Sequence, residues 1–146
     1  SFIERALDSG IKKLASGKLS SDLPEEGFYV LPTLFGPVPR DHELAKDEVF
    51  GPVLSIIPFE SEEEAIEIAN ETDYGLVAGV WTNDGARQLR VAKAMNCGQV
   101  FINGYGAGGG IELPFGGVKK SGHGREKGFE ALYEFCSTKT LVFNHK

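Results

Sequence analysis

A chain of 146 residues has room for one domain with a sizeable core, and 41% hydrophobic beside 25% charged residues is ordinary for a globular protein. Fifteen basic against twenty-one acidic residues give a net charge of −6, which repels a phosphate backbone and argues against a nucleic-acid role. No apolar run approaches the roughly 20 residues of a membrane span and no signal peptide opens the chain, so no membrane role is expected. Two cysteines cannot build a disulfide framework, which fits a reducing, cytoplasmic setting. The first residue is Ser1, inside an apparent helix, as a fragment or excised domain would begin.

In chain order, residues 1–14 place Phe2, Ile3, Ala6, Leu7, Ile11 and Leu14 on one helical stripe, with Gly10 inside the helix. A polar connector over 15–27 comes next. Residues 28–35 are apolar and aromatic but interrupted by Pro32, which predicts an edge strand or an irregular extended segment. Residues 36–47 carry two prolines and alternating charges and read as a loop. The apolar run 53–59 predicts a buried strand. Ser61, with Glu64 three positions later, predicts a capping box opening a helix with Ala65, Ile66, Ile68 and Ala69 on its apolar side. A second strand is predicted over 77–82. Asn83 or Asp84 caps a second helix bearing Ala86, Leu89, Ala92 and Met95, Gly98 ends it, and 100–102 is a third strand. This β-α-β-α-β order predicts an α/β fold with a parallel sheet and right-handed crossovers. A helix over 125–135 and a terminal strand over 138–144 complete the expectation.

Just before the strand over 53–59 stands Asp47-Glu48-Val49-Phe50-Gly51-Pro52. If it enters the strand extended, period-two geometry sends Glu48 and Phe50 to the same side. An acceptor beside a flat apolar ring suits a ribose carrying a heteroaromatic ring. On residue type alone, a glutamate beside a turn is first a solvated surface group. Gly104-Tyr105-Gly106-Ala107-Gly108-Gly109 fits GxGxxG after a strand, but the mechanism needs a helix N-terminus directly afterwards. Gly110-Ile111-Glu112-Leu113-Pro114 is no helix start. Glu62, Glu63 and Glu64 likewise repel phosphate from the first helix. The pattern is rejected as a dinucleotide fingerprint and read as a flexible wall, a lid or a long turn. Clustered glycines at 116, 117, 122, 124 and 128 predict tight backbone packing or positive φ angles.

Three blocks together resemble the C-terminal part of the aldehyde dehydrogenase superfamily. They are Glu48-Val49-Phe50-Gly51-Pro52; Val100-Phe101-Ile102-Asn103; and Pro114-Phe115-Gly116-Gly117 with Lys120-Ser121-Gly122-His123-Gly124-Arg125-Glu126 after it. Asp73-Tyr74-Gly75-Leu76 also matches, and the likeness covers nearly the whole chain. The resemblance implies a catalytic-domain segment over about 1–136 and an oligomerisation strand over about 137–146. It implies that Glu48 and Phe50 contact the nicotinamide ribose and ring of NAD or NADP, and that Phe115 lines the substrate tunnel. It further implies an aldehyde substrate, a carboxylic acid product and a homo-oligomer held in part by the terminal strand. The loop before Pro114 lies near the tunnel mouth in the family, and Gly108-Gly109-Gly110 is unusually bare there.

Family members carry their cysteine nucleophile, glutamate base and asparagine oxyanion donor upstream of this region, so no catalytic residue is assigned in this chain. Cys97 and Cys136 both fall near predicted helix C-termini, where the dipole disfavours a thiolate, and read as core or inert. His42, His123 and His145 have no metal-ligand spacing. His123 reads as a functional base or, more simply, as a loop histidine serving backbone hydrogen bonds. Two functional hypotheses result. The first is a piece of an aldehyde dehydrogenase, inactive in isolation; the second is a free-standing binding or assembly module that keeps the fold.

Overall fold

A computed structural model describes residues 1–24, 26–106 and 110–145. Two compact units emerge, Ser1–Asp73 and Tyr74–Lys146.

In the first unit, helix α1 (Phe2–Asp8) opens on Ser1, whose Oγ accepts from the Glu4 amide at 3.3 Å. The helix expected over 1–14 stops at Asp8 because Gly10 adopts φ +84°. The amides of Gly10 and Ile11 then donate back to the carbonyls of Leu7 and Ala6, the paired bonds of a glycine-terminated helix end. Gly10 therefore lies beyond the helix. Ile11 still packs on the core, while Leu14 falls on strand β1 (Lys13–Ser16) and is exposed.

Strand β2 (Thr33–Phe35) pairs antiparallel with β1 and parallel with β3 (Val53–Ser55), in the order β1-β2-β3. The segment expected at an edge is thus central. Pro32 is tolerated because it stands just before the strand, where only its carbonyl is used, accepting from the Gly17 amide at 2.7 Å. Between β2 and β3, in what reads as loop, lies a short helix α2 (Glu43–Lys46). His42 caps it: Nδ1 accepts from the Leu44 amide at 3.1 Å, so Nε2 carries the proton and faces Ser9 Oγ at 3.0 Å. Ala6, Phe35, Val38 and Leu44 form the buried core, with Phe2, Ile3, Val49, Val53 and Ile57 packed around it. Helix α3 (Glu62–Glu71) starts at Ser61 as expected, with Oγ accepting from the Glu64 amide at 3.1 Å. The return bond of the capping box is displaced by one residue, since Glu64 Oε2 takes the Glu60 amide. Arg40 bridges α3 back to the preceding loop through Glu67 and Glu71, each at 3.0 Å.

In the second unit, β4 (Tyr74–Gly75) pairs antiparallel with β7 (Val118–Lys119). Strands β5 (Val77–Val80) and β6 (Gln99–Ile102) are parallel and joined through helix α4 (Gly85–Ala94). Asp84 is its cap, accepting from the amides of Ala86 and Arg87, and these bonds hold its carboxyl below the usual range. The α/β class and its parallel pairing are as expected. The ladder differs: β3 pairs with β2, from the proline-marked segment 33–35, and β5 pairs with β6. The expected apolar face of α4 is only partly used, with Ala92 and Met95 half-buried and Leu89 exposed.

Helix α5 (Glu130–Glu134) begins five residues later than expected. Lys127 and Gly128 occupy the left-handed region at φ +62° and +63°, and Glu126 is engaged in a bridge with Phe115. Residues 138–144 join no ladder among the described residues and leave Leu141, Val142 and Phe143 exposed.

Strand β6 ends in a side-chain continuation of its own ladder. Asn103, at φ +51°, accepts from the Thr82 amide through Oδ1 and donates to the Thr82 carbonyl through Nδ2, both at 2.9 Å. Asparagine is among the few residues that tolerate this backbone region, and here its amide mimics a peptide. Replacing Asn103 by Gly removes both bonds and keeps the conformation, whereas Asn103→Ala also strains it. The alanine variant is expected to be the less stable of the two by about 1 kcal/mol, read from urea unfolding midpoints.

Candidate functional site

The Glu48–Phe50 segment leaves α2 through Asp47, whose φ of −97° and ψ of 146° are extended. Val49 turns inward onto the core, and its neighbours Glu48 and Phe50 are exposed. The chain does not stay extended, because Phe50 adopts φ +52°. A same-side placement of Glu48 and Phe50 therefore does not follow from strand alternation. Instead, Phe50 presents a ring 91% exposed at a conformation costly for an aromatic residue. Two main-chain bonds secure the far side of this kink: Thr33 donates to the Pro52 carbonyl and Val53 to the Gly51 carbonyl, both at 2.8 Å. The Glu48 carboxylate makes no hydrogen bond or ion pair with any described residue. Beside the kink, an open groove of about 520 Å³ is lined by Ala15, Pro32, Leu34, Pro52 and Leu54.

Phe115 belongs to the second unit. Its backbone exchanges two hydrogen bonds of 2.6 Å with Glu126, and its ring lies 5.7 Å from the Lys127 ammonium. The half-buried ring borders a cavity of about 600 Å³ together with Leu76, His123, Arg125 and Lys127. The turn that presents it is bolted by Arg125, whose Nη1 donates to the carbonyls of Gly117 (2.8 Å) and Gly124 (2.6 Å). Ser121 Oγ accepts from the Gly75 amide at 3.0 Å, so two separate sequence blocks meet here. The glycine expectation holds: Gly122, Gly124 and Gly128 have φ of +108°, +86° and +63°. At Gly117 a Cβ would lie 2.6 Å from that of Ser121, and at Gly98 it would collide with the Gly116 carbonyl.

His123 is exposed and makes no hydrogen bond among the described residues, so a backbone-serving role is not what the structure gives it. Cys97 is half-buried, and burial pushes its thiol up, in keeping with an inert cysteine. Cys136 is exposed, not core. Among the described residues no cluster could hold a metal ion and no helix is long and apolar enough to cross a membrane. Of the GxGxxG run, Ala107, Gly108 and Gly109 lie outside the described residues. Gly110 onwards forms a turn, closed by the Leu113 amide on the Gly110 carbonyl, and not a helix. Asn103, Ser121, Arg125 and Lys127 lie within or beside the family-like blocks, yet residue type alone assigns them no task. Clustered glycines are the signal that the backbone there needs such bolts.

The model of the aldehyde dehydrogenase family matches residues 1–141. Over 140 residues the chain is 39% identical to betaine aldehyde dehydrogenase of Rhizobium leguminosarum bv. trifolii, covering 96% of this chain and 28% of that protein. Retinal dehydrogenase 2 of Gallus gallus is 44% identical over 141 residues, covering 97% and 26%. A crystal structure from Burkholderia cenocepacia, provisionally described as an aldehyde dehydrogenase, superposes with a TM-score of 0.90 at 58% identity, covering 99% of this chain and 30% of that one. An aldehyde dehydrogenase of Mycobacterium tuberculosis complexed with NAD+ gives 0.80 at 38%, covering 92% and 27%. The chain thus spans somewhat more than a quarter of the length of these relatives. With a family match running across almost all of its residues, the chain belongs to the aldehyde dehydrogenase family.

Proposed function

We propose that this chain is the C-terminal segment of an NAD- or NADP-dependent aldehyde dehydrogenase that oxidises an aldehyde to a carboxylic acid. The observation that carries the reading is Phe50, an aromatic ring held almost fully exposed in the left-handed region, two residues from a carboxylate that no described residue partners. Nothing in the first unit's packing requires either feature, since Val49 alone reaches the core. Strain kept at an exposed residue is best explained by what the residue must touch.

This acceptor and ring fit the nicotinamide riboside half of the cofactor. Glu48 is a free acceptor for ribose hydroxyls, and Phe50 offers a face for the nicotinamide ring. When bound, NAD or NADP supplies the hydride acceptor. Glu48 and Phe50 orient, and correct orientation of reacting atoms is worth several kcal/mol of barrier. Phe115, fixed through Glu126 and the Arg125 bolt, forms part of the wall along which the aldehyde enters. The nucleophile lies in another segment of the enzyme, so the 146-residue chain alone is inactive. Residues 137–146 form the subunit contact of a homo-oligomer, a role in keeping with their exposed Leu141, Val142 and Phe143. The setting is cytoplasmic.

In the complete enzyme, Glu48→Gln removes a charge-assisted acceptor worth about 1.5–3 kcal/mol and is expected to slow hydride transfer about tenfold or more. Thioester hydrolysis is expected to change less. Single-turnover absorbance of reduced cofactor separates the two steps, and an unchanged hydride step reduces Glu48 to a surface residue. Deleting residues 138–146 is expected to lower the oligomeric mass measured by light scattering after size exclusion. Retention of the parent mass at low micromolar concentration refutes the interface role.

A further inference from the structure

The Lys127 side chain is held where the backbone least favours it. Lys127 and Gly128 are consecutive left-handed residues at φ +62° and +63°, and only the second is a glycine. A glycine at 127 would adopt the same turn without steric cost, so the turn by itself does not call for lysine. What the lysine adds is an ammonium 5.7 Å from the centroid of the Phe115 ring, within the range of a cation–π contact. That ammonium forms no ion pair with any described residue.

Arg125, Glu126, Glu134 and His123 border the same cavity, and neither carboxylate forms an ion pair with Lys127. Arg125 directs Nη1 to two backbone carbonyls. Glu126 engages Phe115 through its backbone, with its side chain exposed. The Glu134 carboxylate lies against Gly124, where an added Cβ would sit 3.3 Å from it. His123 is exposed. Among the described residues, the cation in ring contact with Phe115 is Lys127.

We propose that Lys127 is a specificity-determining residue, selecting aldehydes that bear a carboxylate over aldehydes that bear a quaternary ammonium. The inference rests on the reading that Phe115 borders the aldehyde route. Aromatic faces hold quaternary ammonium groups through the ring quadrupole, and here that face already carries a cation. A second fixed positive charge a few ångströms away is repelled, and a carboxylate is attracted.

The test uses the complete enzyme and three aldehydes of similar length: succinic semialdehyde, butyraldehyde and 4-trimethylaminobutyraldehyde. The quantity read is the ratio of kcat/KM for the anionic substrate to that for the cationic one. Lys127→Gln is expected to lower this ratio about tenfold, and Lys127→Glu to lower it further, chiefly through KM. Lys127→Gly, which suits the turn, keeps the test available if the longer side chains impair folding. Phe115→Leu is measured beside them with butyraldehyde. A ratio that does not move in the Lys127 variants, while Phe115→Leu changes KM for butyraldehyde, overturns the role of Lys127 and leaves Phe115 on the aldehyde route. If Phe115→Leu changes nothing for any of the three aldehydes, the tunnel assignment fails and the inference fails with it.

Discussion

The first unit depends on strand β2. Phe35 is fully buried and anchors the core with Ala6, Val38 and Leu44, while the backbone on either side of it serves both neighbouring strands. Thr33 donates to Pro52 and the Phe35 carbonyl accepts from Ile56, so the strand holds the exit of the Glu48–Pro52 kink at one end and the chain just past β3 at the other. Phe50 can occupy an unfavourable conformation only because Val49 before it is packed and Pro52 after it is hydrogen-bonded. Local strain is sustained by the packing around it, and here that packing is β2 and the core built on Phe35.

The second unit uses a different device. Its few strands are short, and Val80 is its one buried hydrophobic residue among those described. Backbone proximity replaces side-chain core. Gly98 meets Gly116, Gly117 meets Ser121, and Arg125 gathers two carbonyls that no strand satisfies. Half-buried carbonyls without partners are expensive, so a guanidinium spanning two of them stabilises a turn that has no ladder of its own. Phe115 and Lys127 are both displayed from that turn, which is why ring and ammonium stand in a defined relation.

Large apolar side chains remain exposed in both units, among them Phe28 at 105%, Phe135 at 91% and Phe129 at 82%. Scattered exposed hydrophobics are normal, but so many aromatics at this exposure are characteristic of surfaces that meet other protein. The proposal that the chain is one segment of a longer enzyme accounts for them, since neighbouring segments would cover such rings.

The sequence by itself determined the α/β class, the cap at Ser61, a second cap at Asn83 or Asp84, a glycine cluster needing close packing or positive φ, and the motif order by which the family is recognised. Each of these is local: a cap is one side chain meeting an amide two or three residues on, and a left-handed turn is one residue's own steric limit. Only the tertiary structure decided that residues 13–16 form a strand with no buried face, and that a segment after Pro32 is the central strand. It also decided that the Asn103 amide meets Thr82, that Arg125 binds Gly117 and Gly124, and that Lys127 stands over Phe115. These outcomes depend on which partners the folded chain brings within hydrogen-bond or ring-contact distance, and pairing between residues distant in sequence leaves no periodicity for the eye to read.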